Sequence, residues 1–594
     1  MKIDGMCRKL ISTVLAAALC AGVAAPSLAA GGYNDFDAIT SHVNLKVPAR
    51  LTLTRPEKDV STSGAAYFIT GGSDPDEKLT MNGEAVSGRG ARGSFGVLVA
   101  LQKGVNTFVF RNGGRSEEIN ITRGADTPVT ITNIRGAAPS FDCATYSGET
   151  ISLQCTAPSG AQVTATVGGR QVALKQAAAT AVAGVPATFS AKTTAGEVDG
   201  TRNLGPVTYT MTYKGKTSSV KSAGSVYLTG SGSRLYVEVK NVAASVYKDA
   251  AASAFIETAK GGAVDYVTEV GNMYRLSTGG WIPKESVQPL EEQVNIRNRV
   301  SGVSFEQAGS GEYYTFHGTA NTMFRAYMDG EKLYVKLFNT TGIADYEDGM
   351  ADGSDLFDAV DVTEEDGDTV MQFLRSGSRQ LWGYDISYDD GDVILYAKYA
   401  PRVSGGSQPL SGVTIAVDAG HGGADPGAIG IPGTGGAMEK DITLASAVAV
   451  QKRLESLGAK VVLCRTGDDD VDMNKRMQIT LDNRADLFIS LHCNSLAYTK
   501  DMNTIGGTEV YYFEPISKSL ASTLSANVAG YTGRTNRGAK QSNYRVTLNA
   551  FAPSVLVEMG FVTNPTEYDS MTSRNGIYQT ANAIGDGVLA VLGV

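Results

Sequence analysis

Several features that mark common classes of protein are absent from this chain of 594 residues. Its 52 lysine and arginine residues are outnumbered by 61 aspartate and glutamate residues and form no basic stripe, which argues against nucleic-acid binding. None of its six cysteines has the C-x-x-C spacing of a structural zinc site. Only 19% of the residues are charged and 42% are apolar, so ordinary packed cores can form and wholesale disorder is excluded.

A long apolar run is also absent beyond the N-terminal region. At the N-terminus, three basic residues precede an apolar run at 10–25, and small residues follow at 27–29. This pattern is typical of a secretory signal peptide, and it predicts a leader over residues 1–29 and a secreted protein. An uncleaved membrane anchor is one alternative. A lipoprotein modified at Cys20 is another, although the bulky Leu19 before it disfavours that interpretation.

Removal of the leader leaves four cysteines. Cys143 and Cys155 flank a short turn between two strand-like runs, so they are expected either to bridge a hairpin as a disulfide or to stay free. Cys464 and Cys493 each end an apolar run, which predicts buried free thiols.

The chain is long enough for several domains, and its 69 glycines and 26 tyrosines favour turn-rich β modules. Short alternating runs predict an Ig-like β domain at 45–124 and a second β-rich domain at 127–230. Residues 231–290 resemble a bacterial SH3-like domain, opening with Leu235-Tyr236-Val237 and closing with Gly279-Gly280-Trp281-Ile282. Residues 294–402 predict a further β-rich unit.

An acidic stretch occupies residues 345–392, with fifteen acidic and two basic residues. A calcium site is conceivable there because calcium prefers oxygen ligands. The acids do not follow the spacing of a calcium-binding loop, so solvated hairpin turns are the preferred interpretation.

Strand-like and helical patterns alternate after Pro409, which predicts an α/β domain with a mostly parallel sheet at 411–594. In such sheets, functional sites form beyond the carboxyl ends of the strands. His421, His492 and Glu558 each follow or end a predicted strand, and Glu439 opens the first helix. Two imidazoles and a carboxylate suit a three-ligand zinc site, with a second carboxylate as general base.

Each of these residues also has a plainer interpretation. A histidine after a buried strand can be a hydrogen-bonded loop residue, and Glu439 can serve only the helix N-terminus. Glu558 is harder to explain this way, because a carboxylate that ends an apolar run needs a partner. The sequence separations match no short metal-binding motif, so spacing alone leaves both interpretations open.

Over residues 411–594 the chain resembles the zinc-dependent N-acetylmuramoyl-L-alanine amidases of type 3, which are cell-wall hydrolases with an α/β catalytic domain. The resemblance depends on ordered motifs: Val417–Gly423 with Asp425–Ala428, Glu439–Asp441, Ser490–Asn494, Arg537–Lys540, and Val557–Phe561 with Asn564-Pro565. It implies that His421, Glu439 and His492 bind zinc and that Glu558 is the catalytic carboxylate. A departure is Cys493, where many relatives carry alanine; both residues are small and apolar enough to be buried, so the assignment of the site stands. Neighbouring residues on a strand point to opposite faces, so Cys493, next to His492, is not assigned as nucleophile or ligand.

The resemblance implies a substrate and a reaction. The family cleaves the amide between N-acetylmuramic acid and the L-alanine of the peptidoglycan stem peptide, by zinc-activated water, so peptidoglycan is the expected partner and the cell envelope the expected location. Residues 294–402 resemble the β domains that precede the catalytic domain in some of these enzymes. A non-catalytic wall-binding or adhesive protein and a zinc peptidase on stem peptides are the alternatives.

Two further expectations concern the surroundings of the site. Some family members insert a long autoinhibitory helix after the strand that corresponds to His492, whereas here only residues 495–505 precede the next motif, so no such inhibition is expected. The β modules are expected to serve as wall-targeting or spacer domains. Trp281 and Tyr274 are candidates for ligand-binding aromatics there, with burial in a core as the more ordinary interpretation.

Overall fold

The structure is a computed structural model that describes residues 43–47, 49–124, 129–178, 182–330, 332–375 and 377–594. The predicted leader at 1–29 lies outside these residues. The molecule is multidomain and rich in β structure, as the sequence predicts. Within the described residues, no helix has both the length and the apolar character needed to cross a membrane.

The first β unit packs a three-stranded sheet against a five-stranded one around core residues such as Phe95 and Phe110. Its strand orders are β1-β3-β6 and β2-β8-β7-β4-β5. The strands are β1 Thr52–Arg55, β2 Val60–Thr62, β3 Ala66–Gly72, β4 Leu79–Met81, β5 Glu84–Ala85, β6 Ser94–Ala100, β7 Gly104–Asn112 and β8 Arg115–Arg123.

The second β unit is one seven-stranded sheet in the order β10-β13-β12-β11-β14-β15-β9. Its strands are β9 Cys143–Tyr146, β10 Thr150–Pro158, β11 Gln162–Val167, β12 Arg170–Gln176, β13 Pro186–Thr194, β14 Thr201–Tyr213 and β15 Lys216–Thr229. The expectation of a hairpin between Cys143 and Cys155 is wrong, because β9 pairs with β15 and β10 pairs with β13. Both thiols are free.

The third β unit is a seven-stranded sheet in the order β18-β17-β21-β20-β19-β16-β22. Tyr274 is fully buried in its core, and its hydroxyl bonds the backbone of Ala144, so this ring is a core residue. The strands are β16 Leu235–Val239, β17 Ala243–Tyr247, β18 Phe255–Lys260, β19 Val264–Val270, β20 Met273–Leu276, β21 Trp281–Pro283 and β22 Val287–Pro289, with a 3-10 turn at Lys284–Ser286.

The fourth β unit pairs two four-stranded sheets, β24-β25-β32-β31 and β26-β27-β30-β29, with a small β23-β28 pair. Much of the acidic stretch lies in the hairpins β29–β30 and β31–β32, whose turns place Asp366 and Asp390 at positive φ. The strands are β23 Asn298–Arg299, β24 Val303–Ala308, β25 Gly311–Phe316, β26 Phe324–Asp329, β27 Lys332–Leu337, β28 Thr340–Thr341, β29 Phe357–Glu365, β30 Asp368–Arg375, β31 Leu381–Asp389 and β32 Asp392–Tyr399, with a 3-10 turn at Ala344–Tyr346.

The C-terminal domain contains a six-stranded sheet in the order β34-β33-β35-β38-β36-β37. All its neighbouring strands pair parallel except β36 and β38, which run antiparallel. The strands are β33 Thr414–Ala419, β34 Lys460–Leu463, β35 Leu487–Asn494, β36 Thr508–Tyr512, β37 Asn536–Gln541 and β38 Ser554–Phe561. The helices are α1 Glu439–Ser456, α2 Met473–Asp482, α3 Lys518–Thr532, α4 Pro565–Met571 and α5 Arg574–Leu592, with 3-10 turns at Gly433–Gly435, Met502–Thr504, Pro515–Ser517 and Arg545–Thr547.

Both faces of the central strands β33, β35 and β38 are buried, which explains why these strands contain continuous apolar runs. Ile415 and Val417 face the larger core, where α1 and α3 pack against α5, whereas Ala416 faces a second cluster with Phe488 and Leu556. The carboxyl ends of β33, β35 and β38 meet at one side of the sheet, called here the carboxyl edge.

The first β unit packs beside the carboxyl edge. The carboxylate of Asp569, at the end of α4, accepts the backbone N–H of Arg92 at 2.6 Å and of Ser94 at 3.2 Å. In the loop that follows β35, the Tyr498 ring stacks on Phe68 with centroids 5.6 Å apart. This loop carries only the short turn Met502–Thr504, so the residues between β35 and β36 contain no long helix.

The third and fourth β units pack at the opposite edge. The Phe255 ring lies 4.5 Å from that of Phe513, and the Trp382 indole N–H donates to the carbonyl oxygen of Asp486 at 2.6 Å. The Lys398 ammonium pairs with the Asp486 carboxylate at 3.0 Å and is almost fully buried. The C-terminal domain is therefore held by β units on two sides.

Candidate metal centre and catalytic carboxylate

His421 occupies a tight turn directly after β33. Its backbone has a φ of 61°, a left-handed conformation that is uncommon for residues other than glycine. Two buried arginines fix this turn: Arg476 donates to the His421 carbonyl oxygen at 2.7 Å, and Arg465 donates to that of Gly420 at 3.0 Å. Arg476 also pairs with the buried carboxylate of Asp418. The strained turn is thus held by charge-assisted hydrogen bonds.

The imidazole of His421 is oriented by Asp425. The Nδ1 atom lies 2.8 Å from the Asp425 carboxylate, so in the neutral ring Nδ1 donates and the lone pair of Nε2 is left for a metal ion. Nε2 lies 3.2 Å from Oε1 of Glu439. Burial lowers the pKa of His421, but the hydrogen bonds and negative charges of Glu439 and Asp425 outweigh it and raise that pKa to about 9. The surroundings therefore favour positive charge at this position.

Glu439 is the first residue of α1 and lies at the centre of the site, almost fully buried. Its Oε1 atom is 3.2 Å from His421 Nε2 and 3.2 Å from His492 Nδ1, and it accepts the N–H of Cys493 at 2.9 Å. Its Oε2 atom accepts the N–H of Ala428 at 2.8 Å. Burial acts to raise the pKa of Glu439, but the two histidines outweigh it and hold the pKa well below its ordinary value, so the group is ionised.

His492 lies near the end of β35 and completes the cluster. Its ring centroid is 5.0 Å from that of His421, with the two planes at 77°. A Cβ atom at Gly420 would lie 2.4 Å from His492 Cε1, and one at Gly427 would lie 2.6 Å from Glu439 Oε2. Only glycine at these two positions leaves room for the ligand side chains in this arrangement.

The cluster offers three ligand atoms to a metal ion. The ligand atoms of His421, Glu439 and His492 all lie within 4.8 Å of one another. Among the described residues, this is the one group of three or more histidine, cysteine, aspartate or glutamate side chains that lie close enough to share a metal ion. Zinc binds imidazole nitrogens and carboxylate oxygens at about 2.0–2.2 Å, so tetrahedral ligand atoms lie about 3.3–3.6 Å apart. The observed 3.2 Å contacts approach that spacing. The donor set also matches the two-histidine, one-glutamate type of catalytic zinc site.

Glu558 lies beside the cluster on β38, opposite His492 on β35. Its Oε2 atom is buried and has no hydrogen-bond partner within the described part of the chain. Burial raises the pKa of this carboxyl to about 7, and the negative charges of Glu439 and Glu509 add to the effect against the opposing histidines. A carboxyl with such a pKa can both accept and donate a proton near neutral pH.

Cys493 is adjacent to His492 in sequence but takes no part through its side chain. Its thiol is buried in the main core, and burial raises its pKa well above the ordinary value. A thiol that stays protonated is a poor nucleophile. Only its backbone N–H contributes, by donating to Glu439.

Sequence reasoning named the four central residues but assigned no role to their supports, Asp425, Arg465 and Arg476. Asp425 lies four residues after His421, a spacing that could have indicated a histidine-orienting carboxylate. The arginines lie far from His421 in sequence, and only the packing of α2 and β34 against β33 brings them under the turn.

Comparisons with known proteins indicate the family of the domain that holds this cluster. The family model described as N-acetylmuramoyl-L-alanine amidase matches residues 415–590. The uncharacterized protein YqiI of Bacillus subtilis is 35% identical over 186 residues, covering 31% of this chain and 86% of that protein. The probable cell wall amidase LytH of Staphylococcus epidermidis is 35% identical over 182 residues, covering 31% of this chain and 59% of that relative's length.

Among solved structures, the catalytic domain of CwlV, an N-acetylmuramoyl-L-alanine amidase from Bacillus (Paenibacillus) polymyxa var. colistinus, is 32% identical. The match covers 31% of this chain and 99% of that domain, with a TM-score of 0.29. The family match falls on the domain that holds His421, Glu439, His492 and Glu558. Through this domain, the chain belongs to the N-acetylmuramoyl-L-alanine amidase family.

Proposed function

We propose that this protein is a zinc-dependent N-acetylmuramoyl-L-alanine amidase of the cell envelope. It hydrolyses the amide that joins N-acetylmuramic acid to the L-alanine of the peptidoglycan stem peptide. The observation that supports this best is the convergence of two imidazoles on the Glu439 carboxylate, next to the unpartnered carboxylate oxygen of Glu558. Family membership and the probable cell wall amidases among the relatives support the choice of substrate.

In this proposal His421, Glu439 and His492 hold the zinc ion. When bound, zinc supplies Lewis acidity, which polarises a carbonyl group and acidifies water. Asp425 fixes the tautomer of His421, and the backbone N–H groups of Ala428 and Cys493 fix the Glu439 carboxylate. These contacts hold two of the three ligand side chains, His421 and Glu439, in place before a metal ion arrives.

Glu558 is the general base and then the general acid. Its free Oε2 atom accepts a proton from the attacking water and returns it to the alanine nitrogen as the amide bond breaks. Burial beside two other carboxylates raises its pKa toward neutrality, which suits both steps. No serine or cysteine nucleophile is needed, consistent with the buried thiol of Cys493.

The remaining units are proposed as accessory domains. We assign 45–124 as Ig-like, 127–230 as β-rich, 231–290 as SH3-like, 294–402 as β-rich and 411–594 as catalytic. The leader pattern at 1–29 supports export to the compartment where peptidoglycan lies. The β units then act as wall-targeting or spacer domains around the enzyme.

Digestion of purified peptidoglycan, followed by mass spectrometry, tests the proposal. The parent chain, a Glu558→Gln variant and a Glu455→Gln control are compared with and without a chelator. Glu455 is an exposed carboxylate on α1 of the same domain. Its variant makes the same glutamate-to-glutamine change away from the site and therefore serves as the control. We expect stem peptides that begin with L-alanine from the parent and the control, at least a hundredfold fewer from Glu558→Gln, and none with chelator.

The products separate the alternatives. Peptides that begin at an internal residue would indicate a zinc peptidase. Binding to the wall without any release of peptide at any zinc concentration would contradict the amidase proposal and leave an adhesive protein.

A further inference from the structure

The motif Arg537–Lys540 has no role in the reaction described so far, yet it lies on the same side of the sheet. Glu558 on β38 is opposite His492 on β35 and opposite Glu509 on β36. Because β36 runs antiparallel to β38, its first residues rather than its last reach the carboxyl edge. His492, Glu558 and Glu509 therefore lie side by side on three neighbouring strands.

Glu509 anchors two cations through a single oxygen atom. Its Oε2 accepts Nε of Arg537 at 2.7 Å and also accepts Nζ of Lys540. Its Oε1 accepts the amide of Asn494 and the hydroxyl of Tyr511, each at 2.8 Å. The carboxylate is almost fully buried and balances only one of the two positive charges. A net positive charge therefore remains in an otherwise acidic protein.

The outer sides of both cations face solvent. The side chains of Arg537 and Lys540 are 37% and 39% exposed. Among the described residues, Arg537 hydrogen-bonds only through Nε, so both terminal guanidinium nitrogens are available. The Phe561 ring lies 5.3 Å from the guanidinium carbon and limits its movement. A guanidinium fixed through Nε, with both terminal nitrogens free, suits bidentate binding of a carboxylate.

The chemistry of the substrate indicates which carboxylate this is. The carboxyl group of N-acetylmuramic acid is already consumed in the scissile amide, so free carboxylates near that bond belong to the peptide. Strand β37 is two strands away from β38, a distance of about 10 Å at the usual spacing between strands. An extended peptide covers that distance in about three residues.

We propose that Arg537 and Lys540 form a subsite that binds a carboxylate of the leaving peptide, within about three residues of the scissile amide. This inference rests on the proposed amidase function. Glu509 is a positioning residue that holds the two cations, and the cations determine specificity. Simple structural support of Glu509 is the competing explanation.

The test uses two forms of one substrate: purified peptidoglycan, and the same material after its free carboxylates are converted to carboxamides with carbodiimide and excess ammonium. The full zinc-loaded chain is compared with the double variant Arg537→Gln/Lys540→Gln, with Arg537→Lys, and with Lys518→Gln, an exposed cation on α3. Release of peptides with an L-alanine N-terminus is measured against substrate concentration.

On untreated peptidoglycan we expect the double variant to lose about 10- to 100-fold in kcat/KM, mostly through KM, with Arg537→Lys in between and Lys518→Gln unchanged. On the carboxamide form, parent and double variant should become equally slow. Equal losses for the double variant on both substrates, or a parent that does not discriminate between them, would overturn the subsite and leave the amidase intact. Absence of L-alanine-terminated peptides from the parent on either substrate would overturn the amidase function itself.

Discussion

Glu514 couples the stability of the molecule to pH at the junction between the fourth β unit and the catalytic domain. Its carboxyl is almost fully buried, and its one hydrogen-bond partner there is the Tyr384 hydroxyl, which donates at 3.4 Å. Burial raises its pKa from 4.5 to about 7, against the opposing hydrogen bond. The folded state therefore binds this proton more tightly than the unfolded state. Stability falls as pH rises through the window from 4.5 to 7 and stays low above it.

The size of the effect follows from the two pKa values. One pKa unit corresponds to about 1.4 kcal/mol, so the ionised carboxylate destabilises the folded state by about 3 kcal/mol at pH 8 and about 1 kcal/mol at pH 5. Glu514→Gln removes the charge and keeps an acceptor for Tyr384. We expect the variant to be more stable than the parent, with an advantage in Tm that is roughly 5–10 °C larger at pH 8 than at pH 5.

Calorimetric scans of parent and variant at a series of pH values measure this difference. Glu455→Gln serves as the control, because it makes the same chemical change at an exposed position. A Glu514→Gln advantage that does not change between pH 5 and pH 8 would refute the reasoning, since it would show that Glu514 titrates alike in the folded and unfolded states.

Three other changes have defined outcomes. Asp425→Asn should weaken zinc binding about 10- to 100-fold in a chelator competition, because the histidine loses its orienting carboxylate; an affinity equal to the parent's would argue against this role. Gly427→Ala places a Cβ atom 2.6 Å from Glu439 Oε2 at a φ of 64° and should lower the zinc content of the purified protein, whereas Gly435→Ala, with nothing within 4 Å, should not. Asp569→Ala leaves two backbone N–H groups of the first β unit without their acceptor and should cost about 1–3 kcal/mol; hydrogen exchange at residues 88–96 should rise, and unchanged protection there would contradict it.

Local sequence patterns predicted the positions of many elements in the catalytic domain. The apolar runs after Pro409 fall in β33, β34, β35, β36 and β38, because strands buried on both faces need uninterrupted apolar side chains. His421, His492 and Glu558 were singled out because polar side chains at the ends of such runs are unusual, and Glu439 because it opens the first helix. Their roles stay a prediction. The assignment of the upstream units to Ig-like and SH3-like classes stays a prediction.

Features set by strand order could not be predicted locally. The antiparallel direction of β36 brings Glu509 to the carboxyl edge, and nothing in its own short run specifies direction. The runs that contain Cys143 and Cys155 were predicted to pair as a hairpin because they are close in sequence, but β9 pairs with the distant strand β15 instead. Tyr274 illustrates the same limit, since its burial depends on contacts with Ala144 from another unit.

The contacts between the fourth β unit and the catalytic domain bear on what a protease could release. Residues 404–408, between the two units, are exposed and form an accessible cleavage site. Cleavage there would leave Lys398 paired with Asp486 and the Tyr396 ring stacked on Phe551 at 5.7 Å. Separation of the halves would strip the buried Lys398 ammonium of its carboxylate and expose apolar rings to water. A nicked molecule should therefore persist as a noncovalent complex rather than release its catalytic domain alone.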